Sequence, residues 1–486
     1  MESTKNGVPQ APGGVPVLGH MAAFLRAPLA FLRELPAHGD LVEIRLAGHR
    51  MVVVCDPELT RTMLVRDRVF DKGGPMYDRL REAGGHGVAS CPSVEHRRQR
   101  RLVQPAFHHS RLPGYARIMT ACVEEVVGGW RDGRRVDLMV EIRKITAGVV
   151  ISAVFGTGLD PAVRAHLAAD FNVLMSGLGR RTLMPSWLCA LPTPGNVRYR
   201  RATGRIRRIM AEVIADHRRG GTGGEPSLLS LLIDARDPGS EVDAFTDGEL
   251  VDQAVTMYTA GTETTASAVC WALHLTARHP EAQERLRAEA RTVLAGRTAT
   301  WEDLPRLPYT RQVFAEALRM YPPGWLLTRE TATDTRLGRY DLPAGTTVAY
   351  SPYLIGRLPA LHQEPDRFDP GRWEPQSGER APRAPKAPTT VFGDGARKCA
   401  GDEFALVEGV LLLASLASRR HIELQPAALR LPRLPGLALN PGRMPATVTS
   451  YAAPHTPHAT QAPYAPSAPD ESAPEDNGAH HPGPSR

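Results

Sequence analysis

Two stretches near the start of the chain have the residue types and hydrophobic pattern of β-strands. Leu41–Leu46 and Met51–Cys55 are rich in Val, Ile, Leu and Met and flank a short segment that contains Gly48, which predicts a β-hairpin. From Pro57 onward the chain is rich in Leu, Ala, Arg and Glu, which favour helices, and strand-like runs are few. The pattern therefore predicts a mainly α protein with a small β portion, an α+β fold class.

The longest predicted helix runs from about Thr246 to Arg278. Thr246 and Glu249 have the Ser/Thr-x-x-Glu spacing of a capping box, and Pro280 ends the periodic pattern. About 33 residues correspond to roughly 50 Å at 1.5 Å per residue. Such a helix crosses a whole domain, so we expect most of it to be buried.

Two further helices are predicted, one from Pro308 to Tyr321 and one that begins after Gly401. The second has an apolar face in its first turns. Between these helices, residues 322–398 are rich in Pro and read as irregular, with a short strand candidate at Thr346–Tyr350.

The two ends of the chain differ in composition from the middle. Residues 1–19 are a Pro/Gly-rich leader without a basic-then-apolar signal pattern. Residues 451–486 contain eight Pro and no Leu, Ile, Val, Phe, Met or Trp, so we expect a disordered tail. Its four His could bind a metal weakly, although a solvated tail is the favoured interpretation. Residues 20–450 then form the catalytic domain.

Composition and charge narrow the class of protein. Of the 486 residues, 42% are hydrophobic and 23% are charged, which are globular proportions. No uncharged apolar run approaches the roughly 20 residues of a membrane span, so a cytoplasmic protein without a membrane span is expected. The net charge is +7, but no zinc-finger or basic-zipper pattern accompanies it, which argues against nucleic acid. An acidic protein partner explains the surplus better.

The most informative segment surrounds Cys399. The six cysteines are scattered without a CxxC pair, and in a cytosolic enzyme this pattern indicates free thiols. Cys399 precedes the helix after Gly401, where the helix dipole, Arg397 and Lys398 favour a thiolate, so a lowered pKa is expected. A thiolate is a good soft ligand for iron. The alternative is a buried cysteine with only a structural role. The pattern F-x-x-G-x-R-x-C-x-G argues against this alternative. It is formed by Phe392, Gly395, Arg397, Cys399 and Gly401.

With this motif, the sequence resembles the cytochrome P-450 family of heme-thiolate monooxygenases over about residues 8–450. The resemblance implies the P-450 fold, with heme b between the long helix and the Cys399 loop. It implies that Cys399 is the axial ligand of the iron, and that Phe392, Gly393, Arg397 and Gly401 belong to the heme-binding loop.

The long helix carries a second family motif, Ala260-Gly-Thr-Glu-Thr-Thr265. Gly and Thr are poor helix formers, and such a local conflict often marks a functional site. In the family, this segment of the helix is locally opened above the heme so that O₂ fits. The resemblance implies that Ala260 and Gly261 contact the cofactor, and that Glu263 and Thr264 relay protons. A polar stripe facing solvent is the alternative.

Several cationic residues match the family's positions for binding the heme propionates: His96, Arg100, Arg329 and Arg397. Buried carboxylates need such partners. The neighbouring Arg97, Arg98 and Arg101 are expected to face outward and to form a basic surface for an electron donor.

The pair Glu316 and Arg319 resembles the family's E-x-x-R motif, a structural network that braces the ligand loop. Either Arg372 or Arg367 completes it.

By position relative to these motifs, Gly73–Cys91 and Phe171–Pro194 are expected to contact the substrate. The apolar residues of the second segment are Val173, Leu174, Met175, Leu178, Leu183, Met184 and Trp187. Apolar linings select apolar ligands, although about half of these side chains read equally well as ordinary core.

The resemblance implies insertion of one oxygen atom from O₂ into an apolar small molecule. In its general features the sequence resembles bacterial members of the family that oxidise terpenes or other secondary metabolites. Electrons would come from NAD(P)H through a reductase and a ferredoxin or flavodoxin-type donor. The alternatives are a peroxide-driven or non-oxidative heme-thiolate enzyme, which the proton-relay motif disfavours, and a heme-thiolate sensor or heme carrier.

Overall fold

The computed structural model describes residues 7–46, 48–156, 160–182, 184, 186–220, 227–237, 243–374, 390–429 and 438–451. The predicted disordered tail therefore lies outside the described residues, except for Tyr451.

The described residues contain more helix than strand, as the sequence pattern predicts. The α-helices are α1 Met21–Arg26, α2 Pro28–Glu34, α3 Pro57–Val65, α4 Pro75–Gly84, α5 Ser93–Val103, α6 Leu112–Gly128, α7 Leu138–Phe155, α8 Pro161–Thr182, α9 Ser186–Ala190, α10 Pro194–Arg218, α11 Leu228–Asp234, α12 Asp247–Ala277, α13 Pro280–Leu294, α14 Pro308–Met320, α15 Pro352–Ile355 and α16 Asp402–Arg419.

The strands form small sheets. They are β1 Leu41–Leu46, β2 His49–Val54, β3 Phe70–Asp71, β4 Arg134–Asp137, β5 Leu327–Thr331, β6 Thr335–Leu337, β7 Tyr340–Leu342, β8 Thr347–Tyr350, β9 Arg420–Leu424 and β10 Pro445–Ser450. One sheet has the order β1-β2-β8-β5-β3, a second β4-β10-β9 and a third β6-β7.

The predicted hairpin is β1 and β2, which pair antiparallel from Leu41 opposite Val54 to Leu46 opposite His49. The described part of the Pro/Gly-rich leader lies along this hairpin. The Ala11 N–H donates to the Glu43 carbonyl at 2.9 Å, and the His20 N–H donates to the Arg45 carbonyl at 2.7 Å. The leader thus adds backbone hydrogen bonds to the edge of β1.

Helix α12 has the predicted length and ends. Thr246 and Glu249 form the capping box, and Arg278 is the C-cap residue. From Leu250 to Thr276 most of its side chains are buried. The largest apolar core lies around it, with contributions from α6, α7, α14 and α16. Because helices cover α12 on several sides, its few cavity-facing residues are held in a rigid frame.

Candidate active site

The Cys399 loop depends on backbone turns that only glycine adopts easily. Gly393 and Gly395 have φ values of +73° and +66°, a region that disfavours other residues. A Cβ on Gly395 would also lie 2.9 Å from the carbonyl oxygen of Leu64. The Cys399 N–H donates to the Phe392 carbonyl at 2.8 Å, which closes the loop and leaves the thiol at the start of α16.

Cys399 faces a cavity of about 440 Å³ inside the protein. The thiol is exposed to the cavity, but the protein atoms around it raise its pKa by desolvation, while a hydrogen bond from the Gly401 N–H and the charges of Arg100 and Lys72 act in the opposite direction. The expected lowering of the pKa by the helix N-terminus is therefore wrong for the protein alone, because desolvation of the thiolate outweighs the local positive charge.

Four cationic side chains and one histidine line the cavity together, and we call them the cationic cluster: Lys72, Arg100, Arg329, Arg397 and His96. The sequence indicated four of the five. Lys72 was missed, although the chain has only five Lys beside 54 Arg, a bias that could have drawn attention to it.

The arginines of the cationic cluster are only partly satisfied by protein groups. Arg397 donates to Asp71 Oδ1 at 2.6 Å and to the Cys91 carbonyl at 2.8 Å. Arg329 donates to the Tyr77 hydroxyl at 3.3 Å. The Nε atoms of Arg329 and Arg397 are buried without a hydrogen-bond partner. Both guanidinium groups carry their positive charge at the cavity wall, which favours an anionic ligand.

Electrostatic repulsion within the cationic cluster also favours an anionic ligand. Burial, with the charges of Arg397, Lys72 and Arg100, lowers the pKa of His96 to about 3. Burial, aided by Arg329 and Arg397 and opposed by Tyr77, lowers the pKa of Lys72. Excess positive charge in a buried place suits a ligand that carries carboxylates.

Helix α12 passes the cavity as an unbroken α-helix. Ala260, Gly261, Glu263 and Thr264 all line the cavity, as the motif predicts. The Thr264 hydroxyl donates to the Ala260 carbonyl at 2.5 Å. The expected local opening is not seen as a break, since the helix is assigned continuously through these residues.

Gly261 has a packing reason that the sequence did not reveal. A Cβ at this position would lie 2.8 Å from Cγ2 of Val150 on α7, closer than real Cβ contacts. A glycine therefore allows α7 and α12 to approach closely beside the cavity.

Glu263 is held by two residues that the sequence did not single out. Arg143 Nε on α7 lies 2.8 Å from Glu263 Oε2, and Asn440 Nδ2 donates to Glu263 Oε1 at 3.0 Å. The Arg143 side chain is 30% exposed. The acid is thus tied on one side to a partly solvent-exposed cation, while its backbone adjoins Thr264.

The E-x-x-R pair forms a buried network as expected. Arg319 donates to both oxygens of Glu316, at 2.8 and 2.7 Å. Arg372 Nε donates to Glu316 Oε1 at 3.0 Å, and Trp373 Nε1 donates to Oε2 at 2.9 Å. Burial alone would raise the pKa of Glu316, but these donors hold it below its usual value.

Arg372, and not Arg367, supplies the second guanidinium of this network. Arg367 offers only its carbonyl to Arg319 at 3.3 Å, and its guanidinium pairs with Glu364.

The first predicted substrate segment lines the cavity, and the second does so in part. Met76, Leu80 and Val88 come from Gly73–Cys91. From the second segment, Met175 and Leu178 reach the cavity, whereas Leu174 is fully buried in the core. The side chains of Leu183 and Trp187 lie outside the described residues. Apolar residues of α7 and α11 that the sequence did not indicate complete this wall: Val150, Ala153, Val154 and Leu228.

The arginines beside Arg100 do not all face outward. Arg97 and Arg101 are exposed as expected, and Arg101 lies 2.7 Å from Asp237, but Arg98 forms an ion pair with Glu249 on α12. The outward orientation predicted for Arg98 is wrong, because its side chain is mostly buried in the pair that joins α5 to α12.

No α-helix among the described residues combines the length and hydrophobicity that a membrane span requires.

Comparison with known proteins gives consistent matches. The chain matches the profile of the family "Cytochrome P-450" over residues 9–445. It is 42% identical over 419 residues to the cyclooctat-9-en-7-ol 5-monooxygenase of Streptomyces melanosporofaciens, covering 86% of this chain and 90% of that protein. It is 41% identical over 418 residues to the pentalenene oxygenase of Streptomyces avermitilis, covering 86% and 92%. The fold is similar to the crystal structure of the cytochrome P-450DA heme domain, with a TM-score of 0.79, 25% identity and coverage of 92% and 98%.

The cavity fits the heme that this family carries. Cys399 faces it from one side and α12 from the other, and the guanidinium groups of Arg329 and Arg397, which also line it, suit the two propionates. The chain belongs to the cytochrome P-450 family, and it is a heme-thiolate monooxygenase.

Proposed function

We propose that this monooxygenase oxidises a terpene or a similarly apolar small molecule, with electrons from NAD(P)H that arrive through a reductase and a ferredoxin or flavodoxin-type donor. The observation that carries the substrate class is the apolar cavity wall from α4, α7, α8, α11 and α12. Two similar relatives are named for the oxidation of cyclooctat-9-en-7-ol and of pentalenene, which supports the same class.

The cofactor is heme b, and Cys399 would hold its iron through sulfur. When bound, the heme supplies the activation of O₂, and a thiolate ligand favours O–O cleavage. The cationic cluster would hold the propionates, chiefly through the positive charges of Arg329 and Arg397. Phe392, Gly393 and Gly401 also line the cavity and would shape the floor of the heme site.

Thr264 and Glu263 are proposed to deliver protons. The Thr264 hydroxyl lies at the cavity and donates to the Ala260 carbonyl. Rotation of the hydroxyl would direct its proton to an acceptor in the cavity, and its oxygen would accept a proton from a donor at the same time. Glu263 faces the cavity and also reaches the partly exposed Arg143. A carboxylate between a solvent-linked cation and the cavity can take up a proton outside and release it inside.

The wall above α12 selects the substrate by shape and hydrophobicity. Met76, Leu80, Val88, Met175 and Leu178 offer no charge to pair with a substrate, and burying a charged group against them would be costly. A hydrocarbon skeleton has no polar groups to desolvate when it packs against this wall, and removal of its apolar surface from water stabilises the complex.

The electron donor is proposed to dock on the face that carries the Cys399 loop. Lys398 follows Arg397 there with a half-exposed side chain, although it pairs with Asp402 at 2.5 Å. Arg97 is exposed on nearby α5. Exposed cations on this face favour an acidic partner.

The experiment is a screen of heme spectral shifts. Purified holoenzyme is titrated with cyclic terpenes, macrolides and fatty acids, and the absorption spectrum of the ferric heme is followed. We expect the terpenes to shift the spectrum at the lowest concentrations. The proposal of a terpene-like substrate fails if fatty acids or macrolides bind and terpenes do not, or if none of the three classes shifts the spectrum.

A further inference from the structure

One face of α7 contacts the part of α12 that passes the cavity, residues 260–264, which we call the cavity segment. Val150 packs against Gly261, where a Cβ would lie 2.8 Å from the Val150 Cγ2 atom. Thr146 lies about one turn before Val150, and Arg143 about one turn before Thr146, so the three side chains share a face. Arg143 pairs with the acid of the cavity segment, and Thr146 binds its backbone.

The contact made by Thr146 is a buried hydrogen bond between two helices. Its hydroxyl donates to the backbone carbonyl of Thr262 at 2.9 Å. The Arg143 carbonyl is a more distant acceptor, at 3.3 Å. A hydroxyl has one proton to donate, so the bond to Thr262 is the main one. Thr146 has 0% exposure, and bulk solvent therefore does not compete for this bond.

Two other carbonyls of the cavity segment accept hydroxyl bonds from α12 itself. The Thr264 hydroxyl donates to Ala260 at 2.5 Å. The Ser267 hydroxyl donates to Glu263 at 2.7 Å. Hydroxyl bonds to the carbonyl four residues earlier often bend a helix, and Gly and Thr are poor helix formers. The cavity segment is therefore easily deformed, so a contact from outside the helix can decide its position.

We propose that Thr146 is a positioning residue for the monooxygenase reaction. Its hydroxyl anchors the Thr262 carbonyl to α7, and this peptide group leads directly into Glu263 and Thr264, which line the cavity. Thr146 does not itself belong to the cavity wall, so it acts through the backbone of α12. The inference rests on the monooxygenase reaction and not on the identity of the substrate.

The anchor also limits the cost of a small displacement of the cavity segment. A backbone carbonyl can accept two hydrogen bonds, and Thr262 has one acceptor position for the N–H four residues later in the helix and one for Thr146. The helical bond can then lengthen without leaving a buried carbonyl unpaired. The segment can adjust to a ligand while this carbonyl stays on the α7 side.

The position of the cavity segment matters because a proton passes only between groups within hydrogen-bond distance. A displacement of about 1 Å in a positioned group can slow a reaction about 100-fold. Loss of the anchor is therefore expected to disturb the delivery of protons more than the binding of an apolar ligand.

Infrared spectroscopy of the reduced CO complex tests the anchor without substrate or electron donor. Thr146→Val removes the hydroxyl and keeps the shape of the side chain, whereas Thr146→Ser keeps the hydroxyl. Bound CO responds to the polar groups that face it, so the C–O stretch of the holoenzyme should shift in Thr146→Val and stay at the wild-type position in Thr146→Ser. An unchanged band in Thr146→Val would overturn the proposal.

Turnover provides the second readout. With a surrogate ferredoxin and reductase and pentalenene as the apolar probe, the peroxide released per NAD(P)H consumed should rise several-fold in Thr146→Val. The pentalenene concentration that gives half of the spectral shift should change little. An unchanged peroxide fraction, or a loss of affinity as large as the rise in peroxide, would reject the positioning role. If pentalenene gives no shift, the infrared comparison decides.

Thr120→Val is the matched control. Thr120 on α6 donates its hydroxyl to the carbonyl of Ala299 at 2.8 Å, which also joins distant segments but lies away from the cavity. The melting temperature should fall in both valine variants, whereas the C–O band and the peroxide fraction should change only in Thr146→Val. Equal changes in both variants would contradict the proposal.

A second pair of variants covers the case in which Thr146→Val binds no heme. Thr146→Ser and Thr146→Ala both lack the methyl group and differ only in the hydroxyl. The C–O band should shift in Thr146→Ala relative to Thr146→Ser, and equal bands in these two variants would reject the anchor.

Discussion

Cys399 combines two opposing influences on a single sulfur atom. The Gly401 N–H and nearby cations favour the thiolate, while desolvation by the surrounding protein atoms opposes it more strongly. A ligated iron would reverse this balance, because a metal ion is the largest local charge in such a site. The thiol would therefore become a thiolate when it binds the iron.

Replacing Cys399 by Ser should abolish the red-shifted Soret band of the reduced CO complex, because an alcohol oxygen cannot replace the soft thiolate. The check is the difference spectrum of the purified protein. Cys55→Ser, at a cysteine buried away from the cavity, should keep the band. If the Cys399 variant keeps it as well, another residue holds the iron.

Thr264→Ala should uncouple NAD(P)H consumption from product and increase peroxide release, because the hydroxyl beside the cavity is lost. Both quantities are measured with a terpene that gives a spectral shift. Thr276→Ala is the control. It removes a hydroxyl with the same bond to the carbonyl four residues earlier, at 2.9 Å, but away from the cavity. Equal coupling in the two variants would contradict a relay role for Thr264.

At the scale of elements, the site depends on helices that are locked together by buried polar networks. Glu316 joins α14 to the segment at Arg372 and Trp373. This segment comes shortly before the Cys399 loop in the chain, so its position restricts where the loop can lie. A buried network with every member satisfied also favours one arrangement over others.

Glu316→Ala should destabilise the fold by about 3–5 kcal/mol, because it leaves buried guanidinium groups without their partner, and heme should be lost. Thermal unfolding and the heme absorbance per protein measure this. Glu364→Ala breaks an exposed pair with the same spacing, 2.9 Å from Arg367, and should cost only about 0–1 kcal/mol. Comparable losses in both variants would argue against a bracing role for Glu316.

At the scale of the whole molecule, the interior contains carboxyl groups that differ in their response to pH. Glu408 is kept neutral by burial, whereas Glu316 is kept ionised by its donors. Because their environments differ, Glu408 stays protonated while Glu316 stays ionised in the same protein.

Glu408 should make the stability of the protein fall with rising pH. Its pKa is raised from 4.5 to about 8, so its folded form binds a proton that the unfolded chain releases. Its contribution is fully present below the unfolded pKa and is lost as the pH rises through about 8. Glu408→Gln should therefore gain in melting temperature relative to the wild type as the pH rises from about 5 to 8. A constant difference across this range would contradict the raised pKa.

Short-range sequence patterns were sufficient to predict several secondary-structure elements and the ligand loop of this protein. The hairpin at β1 and β2, the ends of α12 and the ligand loop at Cys399 all depend on residues within a few positions of each other. Caps, turns and helix periods are local interactions, so they can be read without knowing the fold.

Other features required the folded chain. Lys72, Arg143, Asn440 and Glu408 carry no local motif, and Arg372 could not be told from Arg367. Asn440 and Glu263 are 177 positions apart, and only packing brings such residues together. The pKa of Cys399 was misjudged for the same reason. Desolvation depends on all the protein atoms around the thiol, many of them from distant parts of the chain, and here it outweighs the charge of the neighbouring residues.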